Sequence, residues 1–308
     1  MGQLENISAF VKIVETGNIT RAAKQMNIVK SALSRRLAEL ENSLGTQLIH
    51  RTTRHFSVTE AGENYYQRAI QILADVNDLN SSTSNEKIQI EGPLKISVPL
   101  SFGLQNLSPL IREFTEQHPK LLISVDFSDR SVNLVEEGFD LAIRISNLKD
   151  STLMARKIAP IRMVICASPA YLEEYGEPKT PQDFKQHHVL QYTLMPSPIW
   201  KFNTPNGKEV NISVNIKMSA NNGDFLRDAA IDGQGIIKTP TFIVWKDIKS
   251  GKLTPIMGEY KVESLNAYVI YPPTPYLSNR VRTFIDFLVH RLQGEPYWDI
   301  GMDVDTNS

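Results

Sequence analysis

Three helical segments within the first 45 residues constrain the fold more than any other feature of this sequence. The first is predicted by an apolar stripe at helical spacing, formed by Ile7, Phe10, Val11 and Val14. Gly17 predicts its end, and Thr20 is the expected N-cap of a short second helix. After a turn, a third helix ending at Gly45 is predicted by Leu33, Leu37, Leu40 and Leu44. A short helix, a tight turn and a longer helix predict a helix-turn-helix.

The face of the third helix opposite its leucines is small and polar, with one arginine in its middle. Ser31, Ser34 and Arg35 lie on this face. Such a surface fits the major groove, where arginine reads guanine and serine contacts base edges or phosphate. Lys30 adds a candidate phosphate contact at the helix start, and Arg36 lies nearer the core, as a phosphate or surface residue.

A basic hairpin is expected directly after this helix. Two short apolar segments flank the polar stretch 50–55, which predicts two strands around a basic tip, that is, a wing that reaches phosphates or the minor groove. An ordinary surface hairpin is the alternative. The predicted DNA-contact set is Lys30, Ser31, Ser34, Arg35, Arg36, Arg51, Thr53 and Arg54.

Charge is concentrated in this region. Residues 21–54 contain seven Lys and Arg against two acids, although the whole chain of 308 residues has a net charge of -1. A basic N-terminal segment on an otherwise acidic chain is typical of a localised phosphate-binding surface. The alternative is that these basic side chains only form a solvated helix face.

A long helix without proline is predicted from Thr59 to about Glu86. Its apolar positions alternate at spacings of four and three, and we expect this seam to pair two copies of the chain: Tyr65, Ala69, Ile72, Val76 and Leu79. A homodimer would present two recognition helices to a roughly palindromic operator. The alternative is that the seam packs on its own domain. A polar linker follows at 80–85.

The remaining two-thirds predict two α/β lobes. Strands at 94–99, 121–127 and 139–145, joined by helices at 103–118 and 132–137, give a βαβαβ unit with parallel strands. A second set contains strands at 162–168, 210–218 and 265–271. Ligands bind beyond strand ends in such folds. The candidate effector-binding residues are Ser101, Phe102, Ser128, Asp129, Arg144, Asn221, Asn222 and Thr239.

These candidates have simpler interpretations. Ser101 could be only an N-cap, Arg144 could pair with an acid such as Asp140, and Asn221 and Asn222 could be turn formers. Arg144 and the helix start behind Ser101 favour an anionic effector, such as a carboxylate.

Together these segments resemble the LysR-type transcriptional regulators. The N-terminal resemblance rests on Ala22-Ala23, Ser31 to Arg35, Leu44-Gly45, Arg51 to Arg54 and Thr59 to Gly62. The effector portion is similar over Leu134 to Asp140, Ala142 to Arg144, Ala167 to Leu172, Asn221 to Gly223 and Gly233 to Ile236. Lys30 departs from the family, in which proline is common at that position.

The resemblance implies a homodimer or tetramer, a small-molecule co-inducer between two lobes and control of a nearby operon, with RNA polymerase as a further candidate partner. The expected fold is an N-terminal winged helix-turn-helix (1–59), a linker and dimerisation helix with hinge (60–92) and a two-lobed, periplasmic-binding-protein-like α/β effector domain (93–292). We expect lobe I at about 93–161 and 268–292, lobe II at about 162–267, and a flexible acidic tail at 293–308.

Other function classes are less consistent with the sequence. It has no HExxH or GxSxG motif, so we expect neither an enzyme nor a cofactor. His187-His188 is expected in a surface loop. The only cysteine, Cys166, lies in an apolar strand, which favours a buried thiol over a redox sensor and fits a reducing cytoplasm. A periplasmic binding protein would need the signal peptide that we do not find, and no membrane span is expected.

Overall fold

A computed structural model describes residues 2–51, 56–82, 90–147, 154–194, 198–273 and 277–302. The chain divides into two compact units. The first holds residues 1–94 with 117–124 and 276–280, and the second holds the remaining residues.

The first three helices form the expected helix-turn-helix: α1 (Gln3–Thr16), α2 (Ile19–Gln25) and α3 (Lys30–Leu44). Gly17 ends α1 in the left-handed conformation, as its position predicted. The expected N-cap of α2 at Thr20 is wrong, because Asn18 precedes the helix and its side chain accepts a hydrogen bond from the Arg21 N–H. Residues from all three helices share one apolar core, including Phe10, Ala22 and Leu37.

The end of α3 differs from the leucine pattern. Leu33, Leu37 and Leu40 are buried as expected, but Leu44 at the last turn is 40% exposed. Glu41 is buried instead, and its Oε1 accepts hydrogen bonds from the backbone N–H groups of Leu48 and Ile49. This carboxylate therefore joins the recognition helix to the following hairpin.

The hairpin consists of β1 (Ile49–Arg51) and β2 (Phe56–Val58), which pair antiparallel. Its tip at 52–55 lies outside the described residues. The long helix α4 spans Glu60–Ser82, and the Thr59 hydroxyl accepts a hydrogen bond from the Gly62 N–H at its start. The remainder of the predicted helix, to Glu86, is also outside the described residues.

The proposed seam of α4 divides into two parts. Ala69 is buried in the core of the N-terminal helices, and the Tyr65 ring lies 5.6 Å from that of Phe10. By contrast, Ile72 is 47% and Leu79 67% exposed. The first part of the seam thus packs within its own unit, which was the alternative interpretation.

The first lobe contains a five-stranded mixed sheet. Its strands are β3 (Gly92–Val98), β4 (Leu121–Phe127), β5 (Leu141–Ser146), β6 (Met154–Ile161) and β14 (Leu265–Tyr271). Their order in the sheet is β4-β3-β5-β14-β6. β3 pairs parallel with β5, whereas β14 is antiparallel to both β5 and β6. Its helices are α5 (Leu100–Phe102), a π-helical turn at Gly103–Leu107, α6 (Ser108–Gln117) and α10 (Asn279–Leu292). Sequence reasoning missed β6, and the antiparallel β14 makes the sheet mixed.

The short helix predicted at 132–137 is wrong, because this segment forms turns. The Asn133 side chain accepts from the Glu136 N–H, and the Glu137 carboxylate accepts from the Asn133 N–H while pairing with Arg130. These local hydrogen bonds compete with a helix.

The second lobe contains a five-stranded sheet and a separate hairpin. Its strands are β7 (Met163–Ala167), β8 (His188–Tyr192), β9 (Ile199–Asn203), β10 (Glu209–Ser213), β11 (Asn215–Ala220), β12 (Ile236–Pro240) and β13 (Thr254–Ile256). The order in the sheet is β11-β8-β12-β7-β13, and the hairpin is formed by β9 and β10. Its helices are α7 (Pro169–Tyr175), a 3-10 turn at Pro181–Lys185, α8 (Gly223–Ile231) and α9 (Thr241–Lys249).

Two details of this lobe correct the sequence analysis. The single strand predicted at 210–218 is split at Val214 between β10 and β11, which belong to different sheets. His187 is buried rather than in a surface loop, and its Nδ1 lies 3.2 Å from the Tyr171 hydroxyl. Cys166 is fully buried, as expected, and burial raises the pKa of its thiol.

Residues 294–302 pack against the rest of the second unit through buried side chains, which corrects the expected flexible tail for these residues. Trp298 and Asp299 are 1% and 2% exposed. Residues 303–308 lie outside the described part of the chain. None of the described helices combines the length and apolar character needed to span a bilayer.

Candidate functional sites

A polar face of α3 remains accessible in the first unit. Lys30, Ser31 and Arg35 are exposed and Ser34 is half-buried, on the side of the helix away from the buried leucines. Val29, which precedes the helix, supplies no side-chain cap. The first backbone N–H groups of a helix have no intrahelical acceptor and can bind a phosphate.

Ion pairs distinguish the two central arginines of α3. The Arg36 guanidinium lies 2.9 Å from the Glu5 carboxylate of α1, with the Arg36 side chain only 22% exposed. The Arg35 side chain is 59% exposed and lies 3.6 Å from Glu39, one turn away. Arg35 is therefore the more accessible of the two. The side chain of Arg51, and Thr53 and Arg54 entirely, lie outside the described residues.

The second unit contains a cavity of about 430 Å³ between the two lobes. Its wall is mostly apolar, with polar and charged side chains from both lobes. It is lined by Pro99, Ser101, Phe102, Asp129, Arg144, Ile145, Ser146, Met163, Tyr192, Leu194, Gly223, Leu226, Ile237, Lys238, Thr239, Pro240, Phe242, Ile243, Glu263 and Leu265.

The cavity brings together five of the eight predicted effector residues: Ser101, Phe102, Asp129, Arg144 and Thr239. Ser128, Asn221 and Asn222 do not line it. Asn222 is the N-cap of α8, where its side chain accepts from the Phe225 N–H at 2.8 Å.

The Arg144 guanidinium is held mainly by its own lobe. It donates to the Ser97 hydroxyl at 2.8 Å and to the carbonyls of Arg130 and Ile143 at 3.0 and 2.6 Å. Burial lowers its pKa, and Asp129 opposes that shift. Three of its five donors are thus already engaged, so Arg144 contributes positive potential more than open hydrogen-bonding capacity.

Asp224 and Asp129 both accept hydrogen bonds that cross the cleft. The Ser101 hydroxyl and the Gln105 amide of the first lobe donate to the Asp224 carboxylate of the second, at 2.5 and 2.9 Å. Burial raises the pKa of Asp129, while hydrogen bonds from the Leu100 N–H and the Tyr192 hydroxyl oppose that shift. Burial likewise raises the pKa of Tyr192.

Comparison with known families identifies both units. Residues 4–63 match the bacterial regulatory helix-turn-helix protein, lysR family, and residues 87–293 match the LysR substrate binding domain. The chain belongs to the LysR family of transcriptional regulators. As a LysR-type regulator, it combines a DNA-binding helix-turn-helix with an effector-binding domain, and members of this family form oligomers.

The relatives of this LysR-type chain are transcriptional regulators, and the sequence match covers nearly the whole length of each. It is 38% identical to an uncharacterized HTH-type transcriptional regulator of Haemophilus influenzae, over 91% of this chain and 98% of that protein. It is 33% identical to the HTH-type transcriptional regulator CrgA of Neisseria meningitidis serogroup B, over 94% and 96% of the two chains. The solved structure of CrgA matches with a TM-score of 0.60, covering 94% of this chain and 99% of that one. The full-length Vibrio cholerae virulence activator AphB matches with a TM-score of 0.59, 26% identity and coverage of 94% and 99%.

Sequence reasoning missed one of the two cations that line the interlobe cavity, Lys238. Lys238 lies on β12, and its ammonium is 5.2 Å from the centre of the Trp200 ring. Burial lowers its pKa to about 8, and the Glu263 carboxylate opposes that shift. The signal was present in the sequence, because Lys238 is the single charged residue of the segment Ile236–Pro240.

Proposed function

We propose that this chain is a cytoplasmic LysR-type regulator that acts by binding and not by catalysis. It reads a roughly palindromic operator as a homodimer or tetramer and responds to a small anionic effector in the interlobe cavity. The DNA-reading role is supported by one observation above all: the exposed polar face of α3 opposite its buried leucines. RNA polymerase is a candidate partner of the DNA-bound protein.

Arg35 carries the base-reading part of this proposal. It is exposed at mid-helix, where a recognition helix faces base edges, and its arginine fork fits the two acceptors of guanine. Lys30, Ser31 and Ser34 flank it, while Arg51, Thr53 and Arg54 of the hairpin are proposed backbone contacts. The Arg36 guanidinium is already engaged in an ion pair with the Glu5 carboxylate. We therefore assign Arg36 only a peripheral contact with phosphate.

We predict that Arg35→Ala weakens binding to the operator by about 1–3 kcal/mol, the usual value of one bidentate base contact. The measurement is a mobility-shift titration on DNA from upstream of its own gene at two salt concentrations. Arg112→Ala is a matched control, because Arg112 is an exposed helix arginine of the second unit. If the upstream DNA is bound no better than a random duplex, the next experiment is a selection of bound fragments from the whole genome. Failure of that selection to find any preferred site would contradict sequence-specific regulation.

Self-association through α4 is supported by the exposed part of its seam. Tyr65 and Ala69 already pack in their own unit, which leaves Ile72, Val76 and Leu79 as the proposed contacts between two copies. An apolar side chain that is 47% exposed on a regular helix, as Ile72 is, fits a partner helix.

We predict that Ile72→Glu converts the oligomer to a smaller species, because two carboxylates would meet at a seam that excludes water. Multi-angle light scattering gives the molar mass directly. Gln67→Glu adds the same charge at an exposed position outside the seam and should leave the mass unchanged. An unchanged mass for Ile72→Glu would exclude this part of α4 as the interface.

The effector site is supported by the cavity between the lobes, whose volume lies within the range for small-molecule sites. Its apolar wall fits a hydrophobic body, and the Lys238 ammonium supplies donors for an anionic group. Ser101 and Thr239 are additional hydroxyl groups on the wall. We therefore propose a small carboxylate with an apolar body. Ser128, Asn221 and Asn222 would act only indirectly, because they do not line the cavity.

A further inference from the structure

The last described segment of the chain, residues 294–302, lies beyond the family match, which ends at residue 293. It nevertheless contains two of the most buried side chains of the second unit, Trp298 and Asp299. A terminal segment that buries a tryptophan and a carboxylate is tied to the body of the protein, and its partners show what it joins.

On the first lobe, the segment contacts the helical stretch that follows β3. The Tyr297 hydroxyl donates to the Asn106 side-chain carbonyl at 2.7 Å. The Trp298 ring packs edge-on against Phe102, with centres 5.9 Å apart and an interplanar angle of 87°. Phe102 is fully buried and lines the effector cavity.

On the second lobe, the same segment contacts α9 and the residue before β7. The Asp299 carboxylate accepts from the Thr241 hydroxyl at 2.6 Å and lies 3.8 Å from the Arg162 guanidinium. Trp298 also packs on Phe242 at 6.1 Å, and Tyr297 packs on Trp245 at 5.8 Å. Both lobes are therefore held by three consecutive residues.

The aromatic contacts meet at the wall of the cavity. Phe102 and Phe242 come from opposite lobes, lie 5.2 Å apart and both line the cavity, and Trp298 packs against each of them from behind. The packing of Trp298 against both rings thus fixes the separation of two wall residues. The other polar links across the cleft named above are the hydrogen bonds from Ser101 and Gln105 to Asp224 and from the Tyr192 hydroxyl to Asp129.

We propose that residues 294–302 form a strap that bridges the two lobes and sets the opening of the cleft, with Trp298 as a positioning residue behind Phe102 and Phe242. By setting the opening of the cleft, the strap would regulate access to the effector cavity. This regulatory role rests on the proposed function. Its mechanical role does not depend on the effector's identity. Loss of the strap would remove its contacts with both lobes, so the lobes would be free to move further apart.

The test measures the distance between the lobes in the full chain, without effector. Nitroxide labels are attached at Glu116→Cys on α6 and Lys249→Cys on α9, which are both exposed, while the buried Cys166 stays unlabelled. Labelled chains are diluted with unlabelled ones, so that pulsed electron paramagnetic resonance reports distances within one chain. We expect one narrow distribution for the full chain and a longer, broader one after deletion of 294–308.

Two matched controls separate the strap from general effects. Deletion of 303–308 alone should leave the distribution narrow, and Trp298→Phe should preserve more of it than Trp298→Ala. If Trp298→Ala does not fold, Tyr297→Phe removes only the hydroxyl that reaches Asn106 and should broaden the distribution. Identical distributions for the full chain and the deletion of 294–308 would overturn the strap. Because no effector is present, a failed effector proposal would leave this result unchanged.

Discussion

Gly62→Ala is expected to unfold the N-terminal unit at a markedly lower temperature than in the wild-type chain. A β-carbon at this position would lie 2.0 Å from the Leu48 carbonyl oxygen and 2.7 Å from Val58 Cγ1. The nearer atom belongs to backbone that also accepts a hydrogen bond from the Thr59 N–H at 3.0 Å. Relief of the clash therefore requires α4 to move away from the hairpin, at a cost of about 3 kcal/mol or more.

The loss should appear in two measurements. Calorimetry of the full chain should show a lowered Tm for the transition of the first unit, and operator binding should fall because the hairpin and α3 share the Glu41 contact. Ala61→Gly is the matched control. Ala61 is one residue earlier on the same helix, so its replacement by glycine tests helix propensity, worth about 1 kcal/mol, without adding a β-carbon. A Tm for Gly62→Ala at or above that of Ala61→Gly would contradict the close packing.

The sequence predicted the helix-turn-helix well because its signals are local. Helical spacing of apolar residues and a glycine at the helix end define α1 and α3, and each depends on neighbours within a few turns. The error at Leu44 has a long-range cause. Glu41 turns inward to bind the N–H groups of Leu48 and Ile49, and no periodicity of apolar residues indicates a buried carboxylate.

The interlobe cavity was predicted only in part, because its wall is assembled from distant segments. Strand ends located Ser101 and Asp129, since polar residues after a strand are visible in sequence, and Arg144 was found near the end of its predicted strand although it lies within β5. Lys238 lies within a strand, where a lysine is usually interpreted as a solvated side chain. The tail was mispredicted for a related reason: its acidic composition predicted solvent exposure, but Trp298 finds its partners in both lobes.

Lys238→Met is expected to remove anion binding from the cavity. Methionine has similar length and apolar volume, so the wall is preserved while the charged donors are lost. A hydrogen bond to a charged group contributes about 1.5–3 kcal/mol, which corresponds to a loss of affinity of about tenfold to more than a hundredfold. Thermal shift against small carboxylates, beginning with benzoate and its neutral amide, gives the first comparison, because a ligand that binds only the folded state raises the Tm.

The comparison with Lys238→Arg separates charge from shape. Arginine retains a permanent cation, so it should keep the preference for carboxylates over amides that methionine loses. If the wild-type protein responds equally to carboxylates and to their amides, the effector is not recognised through an anionic group. In that case the apolar wall, and not Lys238, would define the ligand class.

The pH dependence of binding gives a sharper test of the same residue. Burial holds the pKa of Lys238 at about 8, and an anion bound beside it would raise that pKa, because it stabilises the charged form. Affinity for a carboxylate should therefore be constant below pH 7 and fall by about tenfold per pH unit above 8. Arg144 remains cationic over this range, because a guanidinium loses its proton only at far higher pH. Tyr192, whose pKa is raised, stays neutral. Lys238→Arg should abolish the decline, and a decline that persists in that variant would assign the titration to another group.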